Sequence, residues 1–278
     1  MGEARTTPGA RLVVTADDAG LRGDWDRAIF AAHEAGVVTA VSVVTNGPVY
    51  LETRARLRDA PALDPGVHLN AIAGLPLSPC GEVRTLVNDD GRLCGSIGRF
   101  LLRFLPARID AQQLAREWER QVQRALDDGL RPTHLNSHYH VHLLPGLFDV
   151  TLALARRHGI RWVRVADEPP WPPAGGRLRL LTLFKTSGLW LAARGCHAKL
   201  ARAGLGHGVS SRGTGTSGRL GPGEWAELLS RLDTGTTEIV CHPGQSPQEE
   251  AALASAELPG ELARQAVLCR FRDLAADA

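Results

Sequence analysis

The chain has 278 residues, 44% hydrophobic and 22% charged, and is long enough to bury a substantial core as one large α/β domain. Its 32 basic and 30 acidic residues leave a net charge of +2, which argues against a nucleic-acid-binding protein that relies on neutralising phosphates. Five scattered cysteines without CxxC spacing indicate reduced thiols and not a disulfide framework. Because no apolar run resembles a secretory signal or a membrane span, we expect a cytoplasmic protein.

The first predicted strand, 11–16 (RLVVTA), ends in Asp17 and Asp18. Its continuous apolar run is typical of a strand covered on both faces, as in a parallel sheet, and such folds place their chemistry at strand carboxyl ends. Adjacent strand residues point to opposite faces. Both carboxylates can therefore reach one site only if the chain turns there, which Gly20 permits. The alternative is that the pair caps the next helix.

Helical and strand patterns then alternate along the chain. The predicted helices cover 25–35, 51–59, 111–126, 147–157 and 220–232, and the predicted strands cover 37–45, 65–70, 160–165 and 238–240. Alternation of this kind predicts βα units in a parallel sheet or barrel. The stretch 74–106 is rich in Gly, Pro and turn dipeptides, and we expect it to be an inserted excursion that borders a substrate cleft.

The run 133–142 (THLNSHYHVH) is the most informative stretch. Read as a strand, it places five polar side chains on one face, namely His134, Asn136, His138, His140 and His142. A buried polar group without a partner costs on the order of 1–3 kcal/mol, and imidazole is a common metal ligand. A metal or a substrate therefore explains this face better than a core does. The alternative is a chance cluster of capping or surface histidines.

Two more histidines lie at predicted strand ends, His68 in GVHLN and His242 in EIVCHPG. Alone, His68 would be interpreted as a satisfied core histidine. A barrel, however, brings the carboxyl ends of its strands to one rim, where enzymes of this architecture assemble their sites. The convergence of these histidines with Asp17, Asp18 and His138 predicts an enzyme.

Four segments together resemble the motifs of the YdjC/ChbG family of carbohydrate deacetylases: ADDAGL at 16–21, GVHLN at 66–70, PTHLNSHYHVHLLP at 132–145 and EIVCHPG at 238–244. They occur in the family's order and at similar intervals across most of the chain. The resemblance implies an irregular (β/α) barrel of the glycoside hydrolase/deacetylase type. It also implies a metal-dependent hydrolase that removes the N-acetyl group of an amino sugar such as N-acetylglucosamine by attack of a metal-activated water.

The resemblance also implies roles by position. Asp18, His68 and His138 resemble the family's metal ligands, Asp17 its catalytic base, and His242 the histidine near the leaving group. Two histidines and one aspartate leave an open position, as in catalytic zinc sites, although the family is also described with magnesium, which prefers oxygen ligands. We expect one divalent metal ion, Zn or Mg. The residues expected to contact the substrate are Asn70, His140, His142 and Arg164.

Two departures from the family pattern bear on the site. Ala19 stands where the family usually has Phe, so the floor beside the aspartates is expected to be wider. Asn136 stands where the family often has Asp, and an amide donates less charge to a ligand imidazole. In this respect the chain resembles the hopanoid-biosynthesis branch of the family, which acts on an amino-sugar lipid.

The segment 176–205 combines many apolar and cationic residues and contains no acid. It fits a helix at an anionic membrane surface that delivers a glycolipid, or a buried barrel helix with a basic edge, since Gly188 and Gly195 interrupt the pattern. The expected partners are an N-acetylated sugar or glycolipid and a second copy of the chain in a homodimer, with peripheral membrane contact under the first interpretation.

Two other functions stay open. A catalytically silent sugar-binding protein could use the same barrel. It would not need the full set of candidate site residues, which are Asp17, Asp18, His68, His138 and His242. A metallohydrolase such as a phosphoesterase would need basic residues around the metal, and the motifs offer little beyond Arg164.

Overall fold

The computed structural model describes residues 9–169, 187–216 and 218–276. Its strands are β1 Ala10–Ala19, β2 Ala40–Val43, β3 Asp64–Leu69, β4 His134–Ser137, β5 Trp162–Val163, β6 Val209–Arg212, β7 Gly235–Cys241 and β8 Val267–Leu268. All pair in parallel in the order β5-β4-β3-β2-β1-β7-β6, and β8 lies beside the start of β1. An isolated parallel bridge joins Trp162 near one edge to Gly206 near the other. The sheet therefore curls into an irregular barrel, which confirms the predicted fold.

Helices surround this sheet. They are α1 Gly23–Glu34, α2 Tyr50–Asp59, α3 Ile97–Phe104, α4 Ala111–Asp127, α5 Leu147–Arg157, α6 187–193, α7 Cys196–Arg202, α8 Pro222–Leu229, α9 Pro247–Leu253 and α10 Leu258–Gln265. Short 3-10 segments cover Cys80–Glu82, His138–Leu143 and Phe271–Ala276. Among the described helices, none is long and apolar enough to cross a membrane.

Helix α4 shows how the sequence pattern produces these elements. The side chain of Asp110 caps its amino terminus by accepting hydrogen bonds from the backbone of the first turn, which satisfies donors that have no partner within the helix. Leu114, Trp118 and Val122 recur at helical spacing and are fully buried. The apolar stripe of α4 therefore packs into the main core, as the sequence predicts.

The barrel interior changes in character along its axis. Near the amino ends of the strands it is apolar and includes Val13, Trp162 and Phe271, the last of these from the C-terminal 3-10 segment. Towards the carboxyl ends it is lined by buried polar side chains, which are Asp17, Ser42, His68, His134, Asn136, Arg164, Ser211 and Glu238. Because so many buried polar groups need partners, this half of the interior has to form a hydrogen-bonded network.

The predicted strand over 133–142 is wrong beyond Ser137. There β4 ends, and Tyr139 and His140 take left-handed φ angles of 56° and 54°. The Ser137 hydroxyl accepts a hydrogen bond from the backbone N–H of His142 at 2.9 Å, which folds the chain back on itself. Strand alternation therefore stops at Ser137, and the histidines after it do not share one face.

Other elements differ from the prediction. The predicted strand 160–165 forms only the two-residue β5, and α3 lies within the predicted excursion 74–106, where Ser96 caps its first turn. Strands β6 and β8 and helices α9 and α10 were not predicted. Of the segment 176–205, residues 176–186 lie outside the described residues, and 187–205 contains α6 and α7, separated at Gly195.

Candidate active site

A β-bulge at the end of β1 presents both aspartates to one site. Between Ala16 and Ala19 the register against β2 shifts by one extra residue, and Asp18 takes a left-handed φ of 68°. A bulge of this kind re-aims side chains that would otherwise alternate between faces. The N-cap of α1 is Arg22, so the alternative that the aspartates cap this helix is wrong.

Gly20 makes the turn after the aspartates possible. Its φ is 92°, and a β-carbon there would lie 2.8 Å from the carbonyl oxygen of Val44. Its backbone N–H donates to Oδ1 of the buried Asp26 at 2.9 Å, which ties the turn to α1. Any larger residue would meet both a backbone clash and an unfavourable φ.

Asp18, His68 and His138 form a three-residue cluster in which one ligand atom from each lies within 4.8 Å of the others. Oδ1 of Asp18 lies 3.3 Å from Nε2 of His68 and 2.8 Å from Nδ1 of His138. Burial would raise the pKa of Asp18, but the two imidazoles hold it well below its usual value. The Asp18 side chain is therefore ionised, with its other oxygen accepting a hydrogen bond from Nε2 of Gln245 at 2.7 Å.

The donor set of this cluster fits a divalent metal ion. Nδ1 of His68 lies 2.7 Å from Oδ1 of Asn136, and donating to that oxygen makes Nε2, on the Asp18 side, the nitrogen that can bind a metal when the ring is neutral. Burial lowers the pKa of His68, but Asp17 and Asp18 outweigh it and the net shift is upward. This part of the cleft therefore favours positive charge, and two imidazole nitrogens with one carboxylate are a common catalytic metal site.

Asp17 lies behind the cluster in a buried ion pair with Arg164. The guanidinium donates from Nη1 to Oδ2 at 2.5 Å and from Nη2 to Oδ1 at 2.9 Å, and also donates from Nε and Nη2 to Glu238. Burial opposes ionisation, but Arg164 and His68 depress the pKa of Asp17 far below its usual value. Glu238 in turn accepts from the Ser211 hydroxyl at 2.8 Å, so the charges behind the site are hydrogen-bonded to one another.

His242 follows β7 and lines the same cleft as the two aspartates. Burial lowers its pKa, against the opposing effect of Asp18 and Asp17, so the imidazole is neutral at pH 7. The backbone N–H of His242 donates to Oε1 of the buried Glu249 at 2.5 Å, and burial raises the pKa of Glu249 to about 7. Helix α9 therefore holds the backbone of His242 in place through Glu249.

The cleft has a volume of about 290 Å³ and is lined by both acidic residues and all three histidines described above. Trp25, Ile72 and Tyr139 add apolar and aromatic surface, and Tyr139 is 47% exposed. Arg22 also lines the cleft, and its guanidinium pairs with Asp24 at 2.6 Å. The cleft therefore combines charged and polar groups with aromatic surface.

The four residues expected to contact the substrate have different positions. His140 is buried and lines the cleft. Arg164 lies behind Asp17, and its charge is engaged by Asp17 and Glu238. Nε2 of the fully buried His142 lies 2.9 Å from the backbone oxygen of Arg164, and this bond ties the turn after β4 to the residue that follows β5.

Asn70 organises the loop after β3. Its side-chain oxygen accepts from the backbone N–H groups of Ile72 and Ala73 at 2.9 and 3.0 Å, and its amide nitrogen donates to the carbonyl of Ala73 and to Asn46. Since both Ile72 and Ala73 line the cleft, Asn70 shapes the wall from behind.

Sequence reasoning missed Gln245, Ser42 and Glu238. Gln245 lies three residues after His242 at the same strand end, which is a positional signal that could have been used. Ser42 lies inside an apolar strand run and Glu238 at the start of one, and polar residues at such positions indicate either an interior network or a site.

The chain is similar in sequence to several carbohydrate deacetylases. The carbohydrate deacetylase of Mus musculus is 31% identical over 252 residues, covering 85% of this chain and 79% of that protein. The carbohydrate deacetylase of Halalkalibacterium halodurans is 29% identical over 236 residues, covering 84% of each. The chitooligosaccharide deacetylase of an Enterobacter species is 32% identical over 152 residues, covering 54% of this chain and 57% of that protein.

The fold is shared with a solved structure from Enterococcus faecalis V583, of a protein named for cellobiose-phosphate cleavage, at a TM-score of 0.71 and 23% identity. That alignment covers 96% of this chain and 99% of the other. The sequence profile of the YdjC-like protein family matches residues 11–274. On this match and on the relatives above, the chain belongs to the YdjC-like family.

Proposed function

We propose that this protein is a metal-dependent carbohydrate deacetylase that hydrolyses the N-acetyl group of an amino sugar. The observation that carries the proposal is the convergence of Asp18, His68 and His138 in one cleft with Asp17 and His242. The names of the relatives agree with it. Such a set supplies a metal site, a carboxylate base and a second proton-transfer group, which are the groups that amide hydrolysis needs.

Asp18, His68 and His138 would hold the metal. Two imidazole nitrogens beside one carboxylate favour zinc or a similar transition metal over magnesium, which prefers oxygen ligands. When bound, such an ion acts as a Lewis acid on the acetamide carbonyl and makes a neighbouring water more acidic.

Asp17 and His242 would move the protons. As the water oxygen bonds to the acetyl carbon, Asp17 takes a proton from that water. The neutral imidazole of His242 then takes up a proton, supplied overall by the same water, and gives it to the amine nitrogen as the C–N bond breaks. Arg164 keeps Asp17 ionised and fixes its orientation. Proton transfer by a positioned group is worth about 10²–10⁴ in rate.

The cleft supports an N-acetylated sugar better than a phosphate ester. Arg22 is the one lysine or arginine among the described residues that line it, and Arg22 already pairs with Asp24. The aromatic rings of Trp25 and Tyr139 at the cleft suit the apolar faces of a sugar ring. We propose an N-acetylglucosamine-type unit within an oligosaccharide or a glycolipid. The homodimer stays a prediction, to be checked by the mass in solution.

Acetate release from a panel of N-acetylated sugars and glycolipids, measured together with bound metal, tests the proposal. Wild-type protein is expected to bind one equivalent of metal and to release acetate. Asp18→Ala, His68→Ala and His138→Ala should lose both, whereas the exposed His207→Ala should lose neither. Stoichiometric metal in His138→Ala would contradict the ligand assignment. Sugar binding without acetate release on any substrate would favour the catalytically silent alternative.

A further inference from the structure

We infer that His134, acting through Ser42 and Asn136, is a positioning residue that holds His68 in the tautomer that binds the metal. The inference rests on the proposed metal site and extends it to a side chain in the middle of the barrel. His134 has no contact with the cleft; it is 1% exposed and lies inside the barrel.

Asn136 makes the link to the metal ligand. Its Nδ2 donates to the Ser42 hydroxyl at 2.7 Å and to Oδ1 of Asp17 at 3.2 Å. The ionised Asp17 carboxylate can only accept, so the amide nitrogen must be on that side. Its oxygen then faces Nδ1 of His68 at 2.7 Å. An oxygen can only accept, so His68 carries a proton on Nδ1, and in the neutral ring Nε2 is the nitrogen whose lone pair would bind the metal.

The contact with Ser42 indicates which ring nitrogen of His134 carries the proton. The Ser42 oxygen lies 3.2 Å from Nε2 of His134. With the Asn136 amide as its donor, the Ser42 hydroxyl gives its own single proton to that nitrogen. In this arrangement His134 Nε2 is the unprotonated nitrogen of the ring, and Nδ1 carries the proton.

The hydrogen bonds on the other side of the His134 ring, to Thr133 and from Thr133 to Asp64, support this protonation. Nδ1 of His134 lies 3.1 Å from the Thr133 hydroxyl oxygen. That hydroxyl donates to Oδ2 of Asp64 at 2.9 Å, a charged acceptor that is nearer than the carbonyl of Pro65 at 3.3 Å. The fully buried Asp64 also pairs with Nε of Arg272 at 2.7 Å, so the chain ends on a carboxylate held in place.

Five hydrogen bonds thus share one direction from His68 to Asp64. Each group donates towards the carboxylate and accepts from the metal side, an arrangement in which successive bonds polarise one another. If the Asn136 amide turned over, its oxygen would face the Asp17 carboxylate, and its nitrogen would face Nδ1 of His68. The proton of His68 would then move to Nε2, and the ligand atom would be blocked.

The residues packed around His134 leave space for its ring. A β-carbon at Gly66 would overlap the His134 ring, and the Phe271 ring covers the imidazole at a centroid distance of 4.4 Å. Burial lowers the pKa of His134 to about 4, so the ring is neutral, as its acceptor role requires. An apolar ring would fill the same space, and packing alone therefore does not explain the two nitrogen contacts.

Metal affinity measured by chelator competition tests the inference. His134→Phe keeps the ring and removes both nitrogens, and Ser42→Ala removes the relay hydroxyl. Each is expected to bind metal about 10- to 100-fold more weakly, as is typical when a group that orients a ligand is lost. The double variant should lose no more metal affinity than the weaker-binding single variant, because both changes interrupt the same series of hydrogen bonds.

Thr15→Val is the matched control. Thr15 is fully buried on β1, and its hydroxyl makes no hydrogen bond in the described part of the chain. This control should keep wild-type metal affinity, and thermal unfolding of the metal-free proteins shows that each variant is folded. Wild-type affinity in folded His134→Phe and Ser42→Ala, or an equal loss in Thr15→Val, overturns this inference alone. A wild-type protein that binds no metal overturns the proposed function with it.

Discussion

Arg164 holds Asp17 through two hydrogen bonds, at 2.5 and 2.9 Å, while its remaining donors reach Glu238 on β7. Two carboxylates thus share one guanidinium, and all three side chains are buried. The planar fork of arginine suits this geometry, and a lysine would contact the carboxylates as a single point charge. The orientation of Asp17 in the cleft therefore depends on a residue that does not line the cleft.

The first prediction concerns this pair. Arg164→Lys should lower kcat and move the acidic limb of the pH–rate profile upward, because the pKa of Asp17 is held down largely by Arg164 and would rise. Asp17→Asn should keep the metal and lose about 10²–10⁴ in kcat, which is the usual worth of a positioned base.

The exposed Arg156→Lys is the control for the first prediction. The measurement is kcat/KM against pH, together with metal content. An unchanged acidic limb in folded Arg164→Lys would show that Asp17 does not limit the reaction at low pH.

The rim of the barrel could be located from the sequence because the ends of strands are recognisable from local patterns. Apolar runs mark strands, and parallel strands bring their carboxyl ends together, so Asp17, His68 and His242 could be placed near each other from sequence alone. The partners of these residues could not be identified in this way. That Arg164 contacts Asp17, or Ser42 contacts Asn136, depends on strand register and on how the barrel closes.

The histidine run shows a second limit. Periodicity placed five polar residues on one face, but the Ser137 side chain captures the backbone of His142 and ends the strand. A single serine contact thus outweighs a pattern of alternation, and nothing in the spacing of the histidines indicates it. His134 and Asn136 lie before this turn, and both contact Ser42 from the shared face that the pattern predicts.

A second prediction concerns His142 and acid stability. Burial lowers its pKa to about 4, whereas an unfolded histidine titrates near 6.5. Between these values the unfolded chain takes up a proton that the folded protein does not. The contribution of His142 to the free energy of unfolding is therefore complete above pH 6.5 and is lost as the pH falls towards 4, by about 3 kcal/mol.

Denaturant unfolding of wild type and His142→Gln across this range checks the second prediction. The wild-type protein should lose its advantage over the variant as the pH falls, and the difference should be constant above pH 7. A difference that does not vary with pH would contradict the assigned titration.

A third prediction concerns Tyr139 at the mouth of the cleft. Its ring is 47% exposed and lies 4.3 Å from the ring of His138, where it can cover one face of a bound sugar. Tyr139→Ala should raise KM by about 10-fold, the upper range for one aromatic contact, and should change kcat little. Tyr139→Phe keeps the ring and should behave like wild type. Loss of kcat without a change in KM would point instead to displacement of His138.

The fourth prediction concerns α6 and the glycolipid alternative. Trp190 is 36% exposed and Leu191 64% exposed, and the Arg194 guanidinium lies 5.2 Å from the Trp190 ring centroid. Lys199 on α7 is bound to Asp149 at 2.7 Å, so its charge is already engaged. Residues 177, 179 and 185, which supply further cations in the sequence, lie outside the described residues. An exposed tryptophan and leucine beside an arginine are suited to an anionic membrane surface.

We expect the protein to sediment with anionic vesicles at low salt and to be released as salt rises. Leu191→Ser and Arg194→Glu should each weaken this binding, whereas Lys199→Ala should have a smaller effect because that cation is paired. Leu102→Ser removes a leucine that is 74% exposed on α3 and serves as the matched control. The variants that weaken binding should lose activity on an amphiphilic N-acetylated substrate and keep it on a short soluble one. Equal loss on both substrates, or no vesicle binding at low salt, would favour a soluble oligosaccharide as the substrate, because α6 would then act only as part of the barrel wall.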